Sequence, residues 1–246
     1  MSRVAVILPA AGQSSRFRDK EKKVFAFLDG RAVWLRAAEL FVNRSDVVQT
    51  LLVVAPDDLD LVRSRFGAHI SLLGIEIVPG GSERFESVAN ALARLHPDAD
   101  LVAIHDAARP CLASTLIDDV FAAAAKTGAA MLAVPVSDTI KRSDDTGRVL
   151  ETVPRKNLWL AQTPQVFRRD WLIDAHSQRH QLGQAITDDA QLIEARGHAV
   201  HLVTGSSSNL KITTREDLTL AEAILKSRPA PKAARSTHPF EDEAKW

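Results

Sequence analysis

Val4-Ala5-Val6-Ile7-Leu8-Pro9-Ala10-Ala11-Gly12-Gln13-Ser14-Ser15-Arg16 decides how this chain is read: an apolar run, then small residues, then a cation, with Lys23 a little further on. An apolar run without polar alternation suits a strand buried on both faces. Small residues directly after such a strand let backbone N–H groups approach an anion closely, and Arg16 and Lys23 add charge that neutral amides lack. The segment therefore suits a nucleoside triphosphate. It is not a dinucleotide fingerprint, since G-x-G-x-x-G is absent, nor a P-loop, since no G-K-[ST] closes it. Taken alone it reads equally well as a tight strand-to-loop turn with two solvated cations.

Outward from this stretch, short apolar or β-branched runs alternate with helical periodicities. Strands are expected at residues 4–8, 50–55, 75–78, 101–104 and 130–135, and helices at 32–42, 59–66, 85–95 and 116–125. This alternation builds β-α-β units, so the fold class is α/β: a mostly parallel, Rossmann-like sheet with helices on both faces. Val88, Leu92 and Leu95 share one helical face, as do Leu218, Ala221 and Leu225. Thr213-x-x-Glu216 fits a capping box opening the last helix. Ligands on such sheets bind beyond the carboxyl ends of the strands, which gathers residues 9–16, 79–82 and 105–110 around one crevice.

The pattern breaks at residues 141–157, where Lys141-Arg142-Ser143-Asp144-Asp145-Thr146-Gly147-Arg148 places a glycine-containing polar turn between extendable segments. A β-hairpin protruding from the domain is expected there. Residues 1–226 read as a single domain. Residues 227–246, opening Ser227-Arg228-Pro229-Ala230-Pro231, hold too little apolar content to order themselves and read as a tail.

With 246 residues, 46% of them hydrophobic, the chain can build one substantial core. Its 31 basic residues balance 31 acidic ones, which argues against a global attraction to nucleic acid or membrane, so any anion site is local. No stretch approaches the roughly 20 apolar residues of a membrane span. The start runs into a strand without the apolar core of a signal peptide, and a cytoplasmic location is expected. Cys111 is the single cysteine and reads as a buried structural thiol.

Gly80-Gly81-Ser82-Glu83-Arg84-Phe85-Glu86-Ser87 follows a strand and opens a helix, where glycines allow close approach to a ligand. Ser82 reads as the N-cap, and Ser87 is expected to turn its hydroxyl toward the crevice. His105-Asp106-Ala107-Ala108-Arg109-Pro110 ends the strand at 101–104. Asp106 is placed to bind Mg²⁺ or another divalent cation through oxygen, and Arg109 to take a phosphate bidentately; a plain Asp106–Arg109 ion pair is the alternative. His105 reads as structural, because phosphoryl oxygens that are already ionised need no base. Asp138-Thr139-Ile140-Lys141, Gln162-Thr163-Pro164-Gln165, Thr187-Asp188-Asp189 and Asn209-Leu210-Lys211-Ile212-Thr213 each suit turn or cap chemistry. Together they would supply hydroxyls and a lysine for a phosphorylated polyol.

In order and spacing these motifs resemble the 2-C-methyl-D-erythritol 4-phosphate cytidylyltransferase family of non-mevalonate isoprenoid biosynthesis, from Val4 to about Leu225. The resemblance implies a nucleotidyltransferase that moves CMP from CTP to a polyol phosphate and releases pyrophosphate, with Mg²⁺ or another divalent cation on Asp106. It implies a CTP site made by Ala10, Ala11, Gly12, Ser14, Arg16, Lys23, Gly81, Arg84, Ser87, Asp106 and Ala107. It further implies a methylerythritol phosphate site from Asp106, Arg109, Thr139, Arg155, Thr163, Thr187 and Lys211, with Arg16, Lys23 and Lys211 as the catalytic cations. In this family the 141–157 arm crosses a two-fold axis, so Arg155 would reach the partner subunit's substrate in a homodimer.

Two residues depart from the family pattern. Ser14 stands where a second glycine is usual, so the loop can hug a triphosphate only if Ser14 adopts an uncommon backbone conformation. Pro154 stands where aspartate usually precedes Arg155, and it stiffens the arm. The rival readings are a cytidylyltransferase for another polyol phosphate such as ribitol 5-phosphate, a sugar-nucleotide enzyme using UTP or dTTP, and a non-catalytic nucleotide-binding protein. The last has no need of four convergent charges at Arg16, Lys23, Asp106 and Lys211.

Overall fold

The computed structural model describes residues 2–14, 17, 21–179 and 186–228. From the N-terminus the chain forms β1 (Val4–Pro9), a small hairpin of β2 (Phe27–Leu28) and β3 (Arg31–Ala32), α1 (Val33–Glu39), β4 (Val47–Val54), α2 (Leu59–Leu72) and β5 (Ile75–Pro79). There follow α3 (Arg84–Leu92), β6 (Leu101–Ile104), α4 (Ser114–Thr127), β7 (Ala129–Pro135) and an outlying hairpin of β8 (Ile140–Ser143) and β9 (Val149–Val153). The chain returns as β10 (Trp159–Arg168) and continues through α5 (Arg169–Ser177), α6 (Asp189–Ala195), β11 (His201–Thr204) and α7 (Arg215–Ser227). A seven-stranded sheet in the order β11-β7-β10-β6-β1-β4-β5 organises these elements.

β1 sits inside this sheet, parallel to both β4 and β6. Its period-two alternation divides the core. Val4, Val6 and Leu8 face a cluster with Trp34 and Leu35 of α1, Val62 and Phe66 of α2, and Ile117 and Phe121 of α4. Ala5 and Ile7 face the opposite cluster with Val88 and Leu92 of α3, Leu172 of α5 and Leu192 of α6. Burial on both faces is why β1 reads as unbroken apolar sequence. The sheet is mostly parallel as expected, and β10 is antiparallel to β6 and β7 because the chain leaves through the hairpin and comes straight back.

Several boundaries differ from the sequence expectation. β4 starts at Val47, and α2 extends to Leu72. The box on α7 sits one residue later than Thr213-x-x-Glu216: Thr214 is the extended N-cap and Asp217 reciprocates, accepting from the N–H groups of Thr213 and Thr214 at 2.8 Å each. On α3, Glu83 rather than Ser82 holds the N-cap position. The Glu86 carboxylate draws the N–H and hydroxyl of Ser82 back at 2.7 and 2.6 Å.

The expected protruding hairpin is present, with Ile140 opposite Val153. Asp144 Oδ1 accepts from the N–H groups of Thr146 and Arg148, and Gly147 supplies the positive φ of 86° that closes the turn. Leu218, Ala221 and Leu225 of α7 pack in a third cluster with Leu28, Val33 and buried Cys111. Burial raises the Cys111 thiol pKa, in keeping with a structural role. α7 runs to Ser227, and Arg228 donates to the carbonyls of Cys111 and Leu112, so order continues past the expected end of the domain at 226. The rest of the expected tail, residues 229–246, lies outside the described residues.

Candidate active site

Loops leaving the carboxyl ends of β1, β5 and β6 meet, as the topology requires, around one cleft. It is lined by residues 9–13, Lys23, Val24, residues 81–84, Ser87, Asp106, Ala108 and Lys211. The walls are tied to the sheet: Ala10 N–H donates to Val53 O and Gly80 N–H to Val54 O, both at 2.7 Å. Gly80 is a true steric requirement. A Cβ there would lie 2.8 Å from the Ala11 methyl and 2.9 Å from Ser87 Oγ, so the two loops close only over a glycine.

Ser14 adopts a φ of 57°, the uncommon backbone conformation its departure from glycine demands. Its hydroxyl accepts from the backbone N–H of Lys23 at 3.3 Å, so the substitution adds a tie between the loop and the lysine segment. Arg16 lies outside the described residues. Ser87 lines the cleft, but its hydroxyl accepts from Gly81 N–H and donates to Glu83 O, each at 3.1 Å. Its donor is therefore engaged in shaping the glycine turn, and one lone pair remains.

Asp106 is the electrostatic centre. Its carboxylate is 2.8 Å from Lys211 Nζ and 3.4 Å from Arg109 Nε. Burial alone would raise its pKa, but the Lys211, Arg84 and Arg109 charges outweigh that and hold it well below the usual carboxylate range. The alternative ion pair with Arg109 is thus real but partial, since Lys211 is the closer partner. His105 is fully buried, with Nδ1 at 3.1 Å from Thr163 Oγ1 and Nε2 at 3.0 Å from Arg109 O. Burial lowers its pKa to about 4, so it is neutral at ordinary pH and structural.

Beneath Asp106 lies a network that sequence reasoning missed. Thr163 Oγ1 accepts from Asp106 N–H at 3.0 Å. Wholly buried Asn209 donates to Thr163 O at 2.9 Å and to Gln162 Oε1 at 3.2 Å, while its backbone carbonyl accepts from Arg109 Nη1 at 2.7 Å. Ile212 N–H donates to Ala108 O at 2.8 Å, which sets Lys211 over the cleft. Both Gln162 and Asn209 lie in polar clusters of the sequence, but nothing in their spacing distinguishes organisers from turn residues.

Of the residues expected at the site, Ala10, Ala11, Gly12, Lys23, Gly81, Arg84, Ser87, Asp106 and Lys211 line this cleft. Ala107 turns into the core, and its neighbour Ala108 takes the lining position. Arg109 and Thr163 adjoin Asp106 from below. Thr139 and Thr187 are exposed outside the lining, and exposed Arg155 donates to the Ser137 carbonyl of its own chain. Thr187 is held by Gln191 Oε1, 3.0 Å from its N–H.

No group of three or more His, Cys, Asp or Glu that could hold a metal occurs among the described residues. The donor set still fits Mg²⁺, which is held through one or two carboxylates plus substrate phosphates and waters rather than by an all-protein cage. Asp106, a carboxylate of the cleft lining, would supply one such oxygen. No helix among the described residues is long and apolar enough to cross a membrane.

The family model for 2-C-methyl-D-erythritol 4-phosphate cytidylyltransferase matches residues 4–227. The chain is 47% identical to the enzyme of that name from Rhodopirellula baltica, covering 90% of this chain and 94% of that one. It is 44% identical to the one from Pelotomaculum thermopropionicum, covering 93% and 96%. Among solved structures it resembles the 2-C-methyl-D-erythritol 4-phosphate cytidylyltransferase of Thermus thermophilus, with a TM-score of 0.74 at 32% identity and coverage of 92% and 100%. It also resembles the 4-diphosphocytidyl-2C-methyl-D-erythritol synthase of Anaerococcus prevotii, with a TM-score of 0.77 at 29% identity and coverage of 92% and 96%.

Proposed function

Since this chain belongs to the 2-C-methyl-D-erythritol 4-phosphate cytidylyltransferase family, we propose that the cleft around Asp106 carries out the family's reaction by positioning and charge stabilisation. The enzyme transfers the cytidylyl group of CTP to 2-C-methyl-D-erythritol 4-phosphate, giving 4-diphosphocytidyl-2-C-methyl-D-erythritol and pyrophosphate. A phosphate oxygen of the acceptor attacks the α-phosphorus in line, and the bond to the bridging oxygen of pyrophosphate breaks. Both reacting groups arrive ionised, so no side chain need act as nucleophile or base.

The observation that carries this reading is that Lys23, Arg84, Asp106 and Lys211, distant in the chain, line one cleft. Residues 10–12 with Ser14, Gly81 and Ser87 shape the nucleotide side, where Lys23 and Arg16 hold the triphosphate and offset charge growing on pyrophosphate. Lys211 approaches the α-phosphate from the acceptor side, where Arg109 and Thr163 adjoin Asp106 and where Thr139 and Thr187, outside the lining, would have to reach the acceptor. Asp106 would hold a divalent cation shared with the phosphates, and such an ion, when bound, neutralises charge on phosphate oxygens.

Pyrophosphate release from CTP tests the assignment. With methylerythritol phosphate as acceptor, kcat/KM should exceed that with ribitol 5-phosphate by at least about tenfold, a difference of about 1.4 kcal/mol. Equal or faster turnover of ribitol 5-phosphate would reassign the acceptor.

The β8–β9 hairpin reads as the contact between two copies. Val149, Leu150, Leu158, Trp159 and Leu160 are exposed on and beside it, more apolar surface than a solvated arm needs. Arg155, at its foot, would then serve the neighbouring acceptor site. Sedimentation equilibrium should give twice the chain mass at micromolar concentration, and a monomer there would remove this part of the account.

A further inference from the structure

Asp189 is a wholly buried carboxylate outside the cleft lining, and the chemistry above makes no use of it. Its Oδ2 lies 2.5 Å from Arg84 Nη1, and its Oδ1 is 3.3 Å from His176 Nε2. Burial alone would lower the Arg84 pKa, but the Asp189 and Asp106 carboxylates outweigh it and raise it. Arg84 is one-third exposed and lines the nucleotide cleft, so the pair joins buried core to open site.

The same residue begins α6, the helix that follows Thr187 and Asp188. Gln165 of β10 fixes that turn: its Oε1 accepts from the N–H groups of Asp189 and Ala190 at 3.2 and 3.1 Å, and its Nε2 donates to Asp188 Oδ2 at 2.9 Å. Asp188 in turn accepts from Gln191 N–H at 3.1 Å as the helix cap. Through these bonds the arginine on the nucleotide side and the threonine on the acceptor side share one anchor. Buried ion pairs of this kind seldom increase stability over apolar replacements, so a role for this one is better sought in geometry.

We propose that Asp189 is a positioning residue that ties Arg84, on the nucleotide side of the cleft, to the Thr187 turn on the acceptor side, so that losing its carboxylate weakens the binding of both substrates. The inference rests on the placement of Arg84 and Thr187 at the two substrate sites proposed above. It adds a coupling between them, and such couplings typically amount to fivefold or more in affinity.

The test is steady-state kinetics of the full chain with each substrate varied against saturation by the other, alongside thermal melts. Asp189→Asn should raise KM for CTP by about tenfold and KM for methylerythritol phosphate by about fivefold, with kcat changed less than about threefold. Asp189→Glu, which keeps the charge, should restore most of both. Asp174→Asn, which breaks an exposed pair with Arg196 between α5 and the end of α6, should change neither.

A lowered melting temperature with both KM values unchanged would overturn the proposal. So would a rise confined to one substrate. If Asp189→Asn fails to fold, Arg84→Lys decides: it keeps the charge, loses the fork that grips Asp189, and should raise KM for methylerythritol phosphate as well as for CTP. A rise in KM for CTP alone would overturn the coupling while leaving the nucleotide site intact. If Arg84→Ala leaves KM for CTP unchanged, the placement of Arg84 at the nucleotide fails, and this proposal fails with it.

Discussion

Lys211→Ala is expected to lower kcat by about a hundredfold or more, while the melting temperature falls by no more than a few degrees. The asymmetry follows from where the ammonium sits. Its side chain is 41% exposed and pairs with Asp106 at 2.8 Å, and when it is removed Arg84 and Arg109 remain to compensate the buried Asp106 carboxylate. Neighbouring Ile212 keeps the segment in place through its bond to Ala108 O, so the variant's loop should stand where it did. On the proposed reading, what disappears is a cation that approaches the α-phosphorus from the acceptor side, whose contribution grows as charge redistributes in the transition state. Rapid-quench measurement of a single turnover would isolate that step. A chemical step at the wild-type rate would remove Lys211 from the catalytic set.

Lys23→Ala should have an effect of similar size, on the order of a hundredfold in kcat, through the opposite end of the reaction. Lys23 lines the cleft beside the 9–13 loop, and its backbone N–H, which bonds Ser14 Oγ, survives the substitution. The backbone tie between Lys23 and Ser14 is therefore retained when the charge is lost. If that charge offsets the negative charge developing on pyrophosphate, kcat must fall and not merely KM for CTP rise. A variant with unchanged kcat and raised KM would reduce Lys23 to uniform ground-state binding.

The parallel part of the fold was legible because β1, β4, β5 and β6 lie between two helical layers and carry apolar residues on both faces. β10 was not legible. Its middle is Gln162-Thr163-Pro164-Gln165, which has the composition of a turn, yet Gln162, Thr163 and Gln165 are all buried and their polarity is satisfied by Asn209, Asp106, Asp188 and α6. Tertiary hydrogen bonds there override local composition, and no local periodicity records them. The same holds in the site. Gly81 and Asp106 stood out because each sits in a motif at a strand end, and Lys211 was singled out only through the family resemblance, whereas Asn209, Gln165 and Asp189 gain their roles only from partners far along the chain. The misplaced caps on α3 and α7 have a smaller cause, since each helix uses the carboxylate that best gathers its orphan N–H groups, Glu86 and Asp217.

A crystal structure of the enzyme with CTP, a divalent cation and methylerythritol phosphate tests the central claim most directly. The expected result is the α-phosphorus between Lys23 and Lys211, the triphosphate against the 9–13 loop, and Asp106 on the metal. A triphosphate bound elsewhere, or one whose α-phosphorus neither lysine approaches, would contradict it.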